Sequence, residues 1–347
     1  MKILLTGGLG FIGSHTCVEL LNNNYEIIII DNLSNSSIDV IDKIVKITNK
    51  NIYFYQGNIG DKTLLNKIFN EHNIDTVIHF AAHKSVDESV KYPLKYYDNN
   101  IIELINLLTI MIKYKIKKII FSSSATVYGD PISLPLTENS KLNPINPYGR
   151  TKLMSEQILQ DVSKAYGMKV IILRYFNPVG AHKSGLLGEN PNGTPNNLFP
   201  YILQVIAGKK DCLNIFGKDY DTTDGTAIRD YIHVMDLAKA HVKSLENLNS
   251  LDGLDGLVDS NDVNNIRIYN LGTGKGYSVL DVVNMFNKVL LSYNNKDNKS
   301  IKYEFTERRE GDASEIYTDC SLVLKELGWS SIFDLEQMVI DSLVSYY

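Results

Sequence analysis

Lys2-Ile3-Leu4-Leu5-Thr6-Gly7-Gly8-Leu9-Gly10-Phe11-Ile12-Gly13 carries a short apolar run straight into a cluster of glycines. Lys2 to Thr6 reads as a buried strand and residues 12–23 as a helix, so the glycines form the turn between them. Gly8-x-Gly10-x-x-Gly13 fits a dinucleotide-binding fingerprint, and Gly7-x-x-Gly10-x-x-Gly13 fits a related spacing. Glycines there permit positive φ, let the backbone approach a pyrophosphate and let helix and strand pack closely. The first N–H groups of the helix are free to meet phosphate. Glycines at this spacing alone are a weak signal; the strand before them and the helix after them make it specific.

Outward from the turn, continuous apolar runs recur at Ile3–Leu5, Glu26–Ile30, Ile52–Tyr55, Thr76–Phe80, Lys118–Phe121 and Val170–Leu173. Strands buried on both faces of a parallel sheet read this way. Helical stretches near 12–23, 37–49, 62–72, 93–114 and 148–166 separate them. The alternation predicts an α/β fold with a Rossmann-type, doubly wound parallel sheet. The second half is less regular, with Gly and Pro punctuation over 180–200 and helical patterns at 199–208, 235–248, 278–292, 320–327 and 334–345. It predicts a smaller C-terminal α/β substrate domain. The expected division is 1–177 and 178–347, with a segment about 229–248 returning to the first domain. Residues 249–265, rich in Asn, Asp, Gly and Leu, read as an exposed insert.

The bulk composition excludes several classes. The chain has 347 residues, 44% hydrophobic and 22% charged, with a net charge of −5. That is enough length for two domains, and no basic stripe suggests nucleic acid. No apolar run is long enough to span a bilayer, and the N-terminus opens on a strand rather than a signal peptide. Cys17, Cys212 and Cys320 are far apart and odd in number, with no zinc-like spacing, so neither a disulfide framework nor a metal site is expected. A cytoplasmic protein is the expectation.

Two further features point to chemistry. Asp31 closes the second strand, 18 residues after Gly13. A carboxylate there binds both adenosine-ribose hydroxyls and repels a 2′-phosphate, favouring NAD over NADP. Tyr148 and Lys152 lie four residues apart behind Pro147, and Ser124 lies 24 residues upstream at the end of the fifth strand. A phenol titrates near pH 10 in water, so about neutral pH it is a poor base. An ammonium one helical turn away favours the phenolate, and a serine hydroxyl can bridge it to a substrate hydroxyl. Ligands of open α/β sheets bind beyond the carboxyl ends of the strands, which puts Ser124, Tyr148 and Lys152 at one crevice with the glycine turn.

With these features in place the chain resembles the extended short-chain dehydrogenase/reductase family over nearly its whole length, and within it the UDP-glucose 4-epimerases. The supporting stretches are Leu5 to His15, His79 to Ser89, Ser122 to Gly129, Arg174 to Gly180, Pro195 to Leu198, Arg229 to Asp236 and Arg308 to Asp312. The resemblance implies that Tyr148 is the proton acceptor, that Lys152 holds the nicotinamide ribose and tunes Tyr148, and that Ser124 meets the sugar hydroxyl. It implies NAD contacts at Gly7, Gly10, Phe11, Ile12, Gly13, Asp31, Asn32, Asn35, Asn58, Ile59, Phe80, Ala81, Lys84, Asn99, Ser122, Tyr175 and Phe176, beside Tyr148 and Lys152. It implies UDP-sugar contacts at Asn177, Asn197, Leu198, Phe216, Arg229, Arg309 and Asp312, beside Ser124. Planar arginines suit a pyrophosphate. The family often has an acidic residue where Asn58 stands; its side-chain oxygen can accept the same hydrogen bond. Ile316 stands where the family gates the sugar pocket, with Tyr excluding N-acetylated sugars and Cys admitting them, and it is intermediate in size.

The reaction implied is NAD-dependent transient oxidation at the sugar C4, rotation of the 4-keto intermediate and reduction on its opposite face. It interconverts UDP-galactose and UDP-glucose in galactose metabolism. A 4,6-dehydratase needs an acid/base carboxylate pair just before Val127-Tyr128-Gly129, and Ala125 and Thr126 cannot serve. Epimerases of UDP-N-acetylglucosamine, UDP-pentoses or UDP-uronates would use the same trio. A non-catalytic NAD-binding sensor on the same fold would have no need of the intact Ser124, Tyr148 and Lys152. The family forms homodimers through helices near 93–114 and 148–166. Ile101-Ile102-x-x-Ile105-x-x-Leu108 is apolar enough for that, although a helix packed on its own sheet would look the same.

Overall fold

A computed structural model describes residues 1–190, 195, 197–250, 265–293, 300–309 and 312–346. Residues 251–264 of the expected insert, and Asn196, Glu310 and Gly311 of the quoted motifs, lie outside the described residues. The first half alternates as expected: β1 (Lys2–Thr6), α1 (Phe11–Asn22), β2 (Glu26–Asp31), α2 (Asp39–Thr48), β3 (Tyr53–Gln56), α3 (Lys62–Glu71) and β4 (Thr76–His79). The expected helix 93–114 is broken. After α4 (Val86–Lys91) come α5 (Pro93–Tyr97), a π-helical turn (Asp98–Ile102) and α6 (Glu103–Lys113). A π turn inserts one extra residue and re-aims the side chains after it, and such turns concentrate at functional sites. Then follow β5 (Lys118–Ser124), α7 (Pro147–Tyr166) and β6 (Lys169–Tyr175).

Local chemistry accounts for the boundaries that matter. Asn146 caps α7, its side-chain oxygen accepting the Gly149 N–H at 2.8 Å, and Pro147 takes the first helical position. Gly167 ends the same helix at φ 65°, which a side chain would resist. These caps fix where the helix carrying Tyr148 and Lys152 starts, and hence how those two residues meet β5.

The main sheet has seven strands in the order β10-β6-β5-β4-β1-β2-β3, and every neighbouring pair is parallel. Its edge strand β10 (Ile266–Leu271) pairs Asn270 with Arg174 of β6 and was not read from the sequence. Both faces are covered. Ile3, Leu5, Ile27 and Ile29 pack in one cluster, and Leu4, Ile28, Ile30 and Val77 in another. That is why the strands read as unbroken apolar runs.

The second half supplies β7 (Asn177–Val179), α8 (Leu198–Ile206), β8 (Leu213–Phe216), β9 (Ile228–His233), α9 (Val234–Ser250), β11 (Gly276–Ser278), α10 (Val279–Tyr293), β12 (Tyr303–Thr306), β13 (Glu315–Ile316), α11 (Ser321–Leu327) and α12 (Leu335–Tyr346). β9 sits between β11 and β13 and also pairs with β7, while β8 pairs with β12. Phe199, Ile202, Phe286, Met338 and Val339 form their core. Of the stretch expected to return to the first domain, β9 stays in this small sheet. The return is made by α9, which packs on α1, by β10 and by α11.

Candidate active site

Along the carboxyl ends of β1, β2, β4, β5 and β6 runs a cavity of about 810 Å³ that continues between the main sheet and the smaller one. Gly7, Gly10, Phe11, Ile12, Gly13, Asp31, Asn58, Ile59, Phe80, Ala81, Lys84, Asn99, Ser122, Ser124, Tyr148, Lys152, Tyr175 and Phe176 line one arm, with Asn32 and Asn35 at its rim. Asn177, Asn197, Leu198, Phe216, Arg229, Arg309 and Asp312 line the other. Ile316 does not reach the wall. It is half-buried, pairs with Arg229 through β13 and packs on the cluster of Ala125, Val127, Tyr128, Leu136 and Phe176. Phe176 belongs both to that cluster and to the cavity wall.

The glycine turn is as tight as its spacing demands. Gly7 has φ 69°, and a Cβ there would sit 2.8 Å from the Ala81 nitrogen. A Cβ on Gly13 would lie 2.5 Å from the Gly7 carbonyl oxygen, so α1 can pack against β1 only through glycine. A Cβ on Gly10 would meet the Gly7 oxygen alone, at 3.3 Å, leaving the mouth of the turn open. The first-turn N–H groups of α1 have no acceptor within the helix and face this opening. At the end of β2, Asp31 is 8% exposed and accepts hydrogen bonds from Leu9 N at 3.0 Å, Leu33 N at 2.9 Å and Ser36 Oγ at 2.8 Å. The carboxylate is thereby fixed at the crevice. Turn, helix end and acid together fit a dinucleotide.

One acid in this arm was missed. Glu103, just after the π turn, lines the cavity, and Asn58 and Asn99 hydrogen-bond to it against a burial that pushes its pKa up. Asn58 therefore stands with a carboxylate after all, supplied from another element. No spacing rule links residues 58 and 103, so the sequence held no signal for it.

The trio comes together around the end of β5. Lys152 is 4% exposed, and its Nζ donates to the Ser122 carbonyl at 2.7 Å. Burial pulls its pKa down to about 7. The ammonium stands 5.9 Å from the Tyr148 ring centroid and 5.0 Å from that of Phe121. Ser124 Oγ accepts from Thr126 N at 3.2 Å and from Thr126 Oγ1 at 3.0 Å. Burial pushes the Tyr148 phenol up, and its hydrogen bond with Ser124 works against that. Burial is the larger of these two influences; the lowering expected from the nicotinamide charge together with Lys152 would oppose it. A second phenol lies beside it. Tyr175 donates to His241 Nε2 at 2.6 Å, while His241 Nδ1 donates to the Leu237 carbonyl at 2.8 Å, so His241 is neutral and its pKa falls to about 4 through burial.

The other arm is built from charge. Arg229 Nη2 donates to Asp312 Oδ1 at 2.6 Å, and the Arg309 guanidinium stacks 3.9 Å from the Phe216 ring centroid. Glu189, which sequence reasoning also missed, joins the two arms. Its Oε1 accepts from Lys84 Nζ at 3.0 Å and from Asn197 Nδ2 at 2.9 Å. Asn197 is thereby drawn off its own helix, α8, whose N-terminus has no side-chain cap. An aromatic face, stacked guanidinium and open helix N-terminus suit a base followed by phosphates. Among the described residues no group of three or more His, Cys, Asp or Glu could hold a metal ion, and no helix is long and apolar enough to cross a membrane.

Comparison with known proteins agrees with this geometry. A family model described as GDP-mannose 4,6 dehydratase matches residues 4–342. The curated UDP-glucose 4-epimerase of Bacillus subtilis is 50% identical over 343 residues, covering 99% of this chain and 96% of that protein. The chain belongs to the UDP-glucose 4-epimerase family. The crystal structure of the Bifidobacterium longum UDP-glucose 4-epimerase in complex with NAD+ and UDP superposes with a TM-score of 0.90 at 46% identity, covering 99% of this chain and 98% of that one. The Stenotrophomonas maltophila UDP-glucose 4-epimerase, with bound NAD and formylated UDP-arabinopyranose, gives a TM-score of 0.90 at 44% identity, covering 100% and 98%. Within this family the dehydratase description of the matching model does not extend to the chemistry here, because Ala125 and Thr126 supply no carboxylate pair.

Proposed function

We propose that this protein interconverts UDP-galactose and UDP-glucose as an NAD-dependent 4-epimerase. The observation that carries the reading is the single cavity that joins the glycine turn and Asp31 to Tyr148, Lys152 and Ser124, and then to Arg229, Arg309 and Phe216. Asp31 would take the adenosine ribose hydroxyls, the N-terminus of α1 the dinucleotide phosphates, and Lys152 the nicotinamide ribose. Bound NAD would supply an acceptor that takes the C4 hydrogen as hydride and returns it.

The chain's own residues do the rest. Tyr148 removes the 4-hydroxyl proton, directly or through the Ser124 hydroxyl, and gives a proton back at the end. Burial raises the phenol, so ionisation needs nearby positive charge, which Lys152 contributes from the same helix face. The 4-keto sugar turns over while Arg229, Arg309 and the N-terminus of α8 keep hold of the pyrophosphate. Firm contacts to UDP and few to the hexose allow reduction on the opposite face. Ile316 leaves N-acetylated sugars as candidate substrates, because it is smaller than Tyr and stands back from the wall.

The same reading extends to assembly and setting. Ile101 and Leu108 are buried, whereas Ile102 and Ile105 stay 52% and 45% exposed. Met154 on α7 is 39% exposed nearby in the chain's helical layer, which supports a homodimer formed through these helices. Three free cysteines support a reducing, cytoplasmic setting. The direct test is purified protein given UDP-galactose without added NAD. Conversion to UDP-glucose is expected, with tightly held cofactor; no conversion even with NAD added would overturn the reading.

A further inference from the structure

Glu156 lies one turn after Lys152 on α7 and reaches none of the cavity wall. It is fully buried, at 0% exposure, as is Arg174 of β6 at 1%. Glu156 Oε1 accepts Arg174 Nε at 3.0 Å and Oε2 accepts Nη2 at 2.7 Å, a bidentate pair. Ser123, the residue between Ser122 and Ser124, donates its hydroxyl to the same Oε1. Arg174 Nη1 donates onward to the Tyr128 hydroxyl at 2.9 Å and the Glu138 carbonyl at 3.1 Å, and Tyr128 donates to Asn270 of β10 at 2.7 Å. Burying such a pair is costly, so its retention calls for a use.

What the carboxylate touches indicates that use. Ser122 holds Lys152 through its carbonyl, Ser123 holds Glu156, and Ser124 belongs to the trio, so three successive residues of β5 seat the catalytic helix. Among the described residues, few titratable or charged groups act on Lys152 or lie beside it. On α7 they are Tyr148 and Glu156. From β4 comes His79, kept neutral by burial with its pKa near 3. On β6, Tyr175, its phenol pushed up by burial, is tied to His241 of α9, and Arg174 is engaged by Glu156. Glu156 is the one anion among them.

We propose that Glu156 is a positioning residue of the epimerase reaction: anchored by Arg174 and Ser123, its carboxylate seats the catalytic helix on β5 and sustains Lys152 as a cation beneath Tyr148. Burial drives Lys152 toward the neutral amine, and Glu156 opposes it. Arg174 and Ser123 hold the Glu156 carboxylate in place. The trio therefore depends on a fourth, hidden charge that never meets substrate.

The inference rests on the epimerase reading, and its test separates the two. In Glu156→Gln the alkaline limb of kcat/KM for UDP-galactose should move down by about one pH unit, with turnover at pH 8 falling about tenfold. A ¹³C NMR titration of dimethylated Lys152, assigned by its absence in Lys152→Met, should move by the same amount without substrate present. Glu156→Asp keeps the charge and should leave both in place. The double variant Glu156→Gln/Arg174→Met removes both buried charges, guards against misfolding of the single variant, and should show a smaller shift in the same direction. A Lys152 titration that stays put in either folded variant overturns the proposal, whatever happens to turnover. An unmodified protein without turnover overturns the epimerase reading instead, and the titration still decides Glu156.

Discussion

The two arms of the cavity are built differently. The dinucleotide arm is made of backbone and locked side chains: a turn in which Gly13 admits no Cβ, an Asp31 held by three donors, and a Lys152 that is 4% exposed. The far arm is made of side chains on loops and short strands, with Arg229 at 14% and Asp312 at 34% side-chain exposure. Chemistry at C4 needs fixed geometry, whereas gripping a diphosphate needs charge that can follow a turning ligand. The contrast predicts that changes in the first arm act on kcat and changes in the second on KM.

The largest effect should come from Tyr148→Phe. Removing the proposed proton acceptor should lower kcat by about 10³-fold or more while bound NAD and melting temperature change little. Loss of NAD, measured by absorbance after release, would mean the phenol holds cofactor rather than moves a proton. In the far arm Arg309→Ala should raise KM for UDP-galactose about 10- to 100-fold with kcat nearly unchanged, the loss of one charge-assisted contact to phosphate. A fall in kcat instead would erase the distinction between the arms.

A smaller, pH-dependent effect distinguishes the buried cation. Lys152 titrates near 7 in the folded chain and near its ordinary value of about 10 when unfolded. Between those values the unfolded chain binds more protons, so stability contributed by this group rises with pH and is poorest below pH 7. Lys152→Met should therefore be relatively more stable than the unmodified protein at pH 6, and the gap should close toward pH 9 as measured by chemical denaturation. A gap independent of pH would mean that the ammonium is already well solvated.

The arms also differ in how far they could be read from the chain. The turn, Asp31, Ser124, Tyr148 and Lys152 were legible because each sits at a fixed offset from a strand end, and the periodicities of strand and helix are local properties. β10 was missed because Arg267 and Asn270 interrupt its apolar run, which does not look like a strand buried on both faces. It is an edge strand, half-open where it begins. The break in the helix 93–114 was invisible because the one-residue insertion of a π turn has no composition signal of its own. Glu103, Glu189 and the Glu156–Arg174 pair were missed for a different reason. Each meets at least one partner on another element, and a lone glutamate carries no mark of the partner it will find.

Ile316 is where the comparison is sharpest, because it was expected in one arm and lies behind the boundary of both. A residue on the wall would exclude or admit a substituent by direct contact. One packed against Phe176 and Tyr128 can only shift what stands in front of it. Ile316→Tyr adds volume to a filled cluster, which costs about 1–3 kcal/mol in such sites. The expected outcome is a small rise in KM for UDP-galactose, under about threefold, with a measurable drop in melting temperature. If the unmodified protein turns over UDP-N-acetylglucosamine, the same change should reduce that activity more, since the larger sugar needs the room that Phe176 would lose. Equal losses on both sugars would show that the cluster only stabilises the fold. A selective loss without any drop in melting temperature would place the ring of the new tyrosine in the cavity itself.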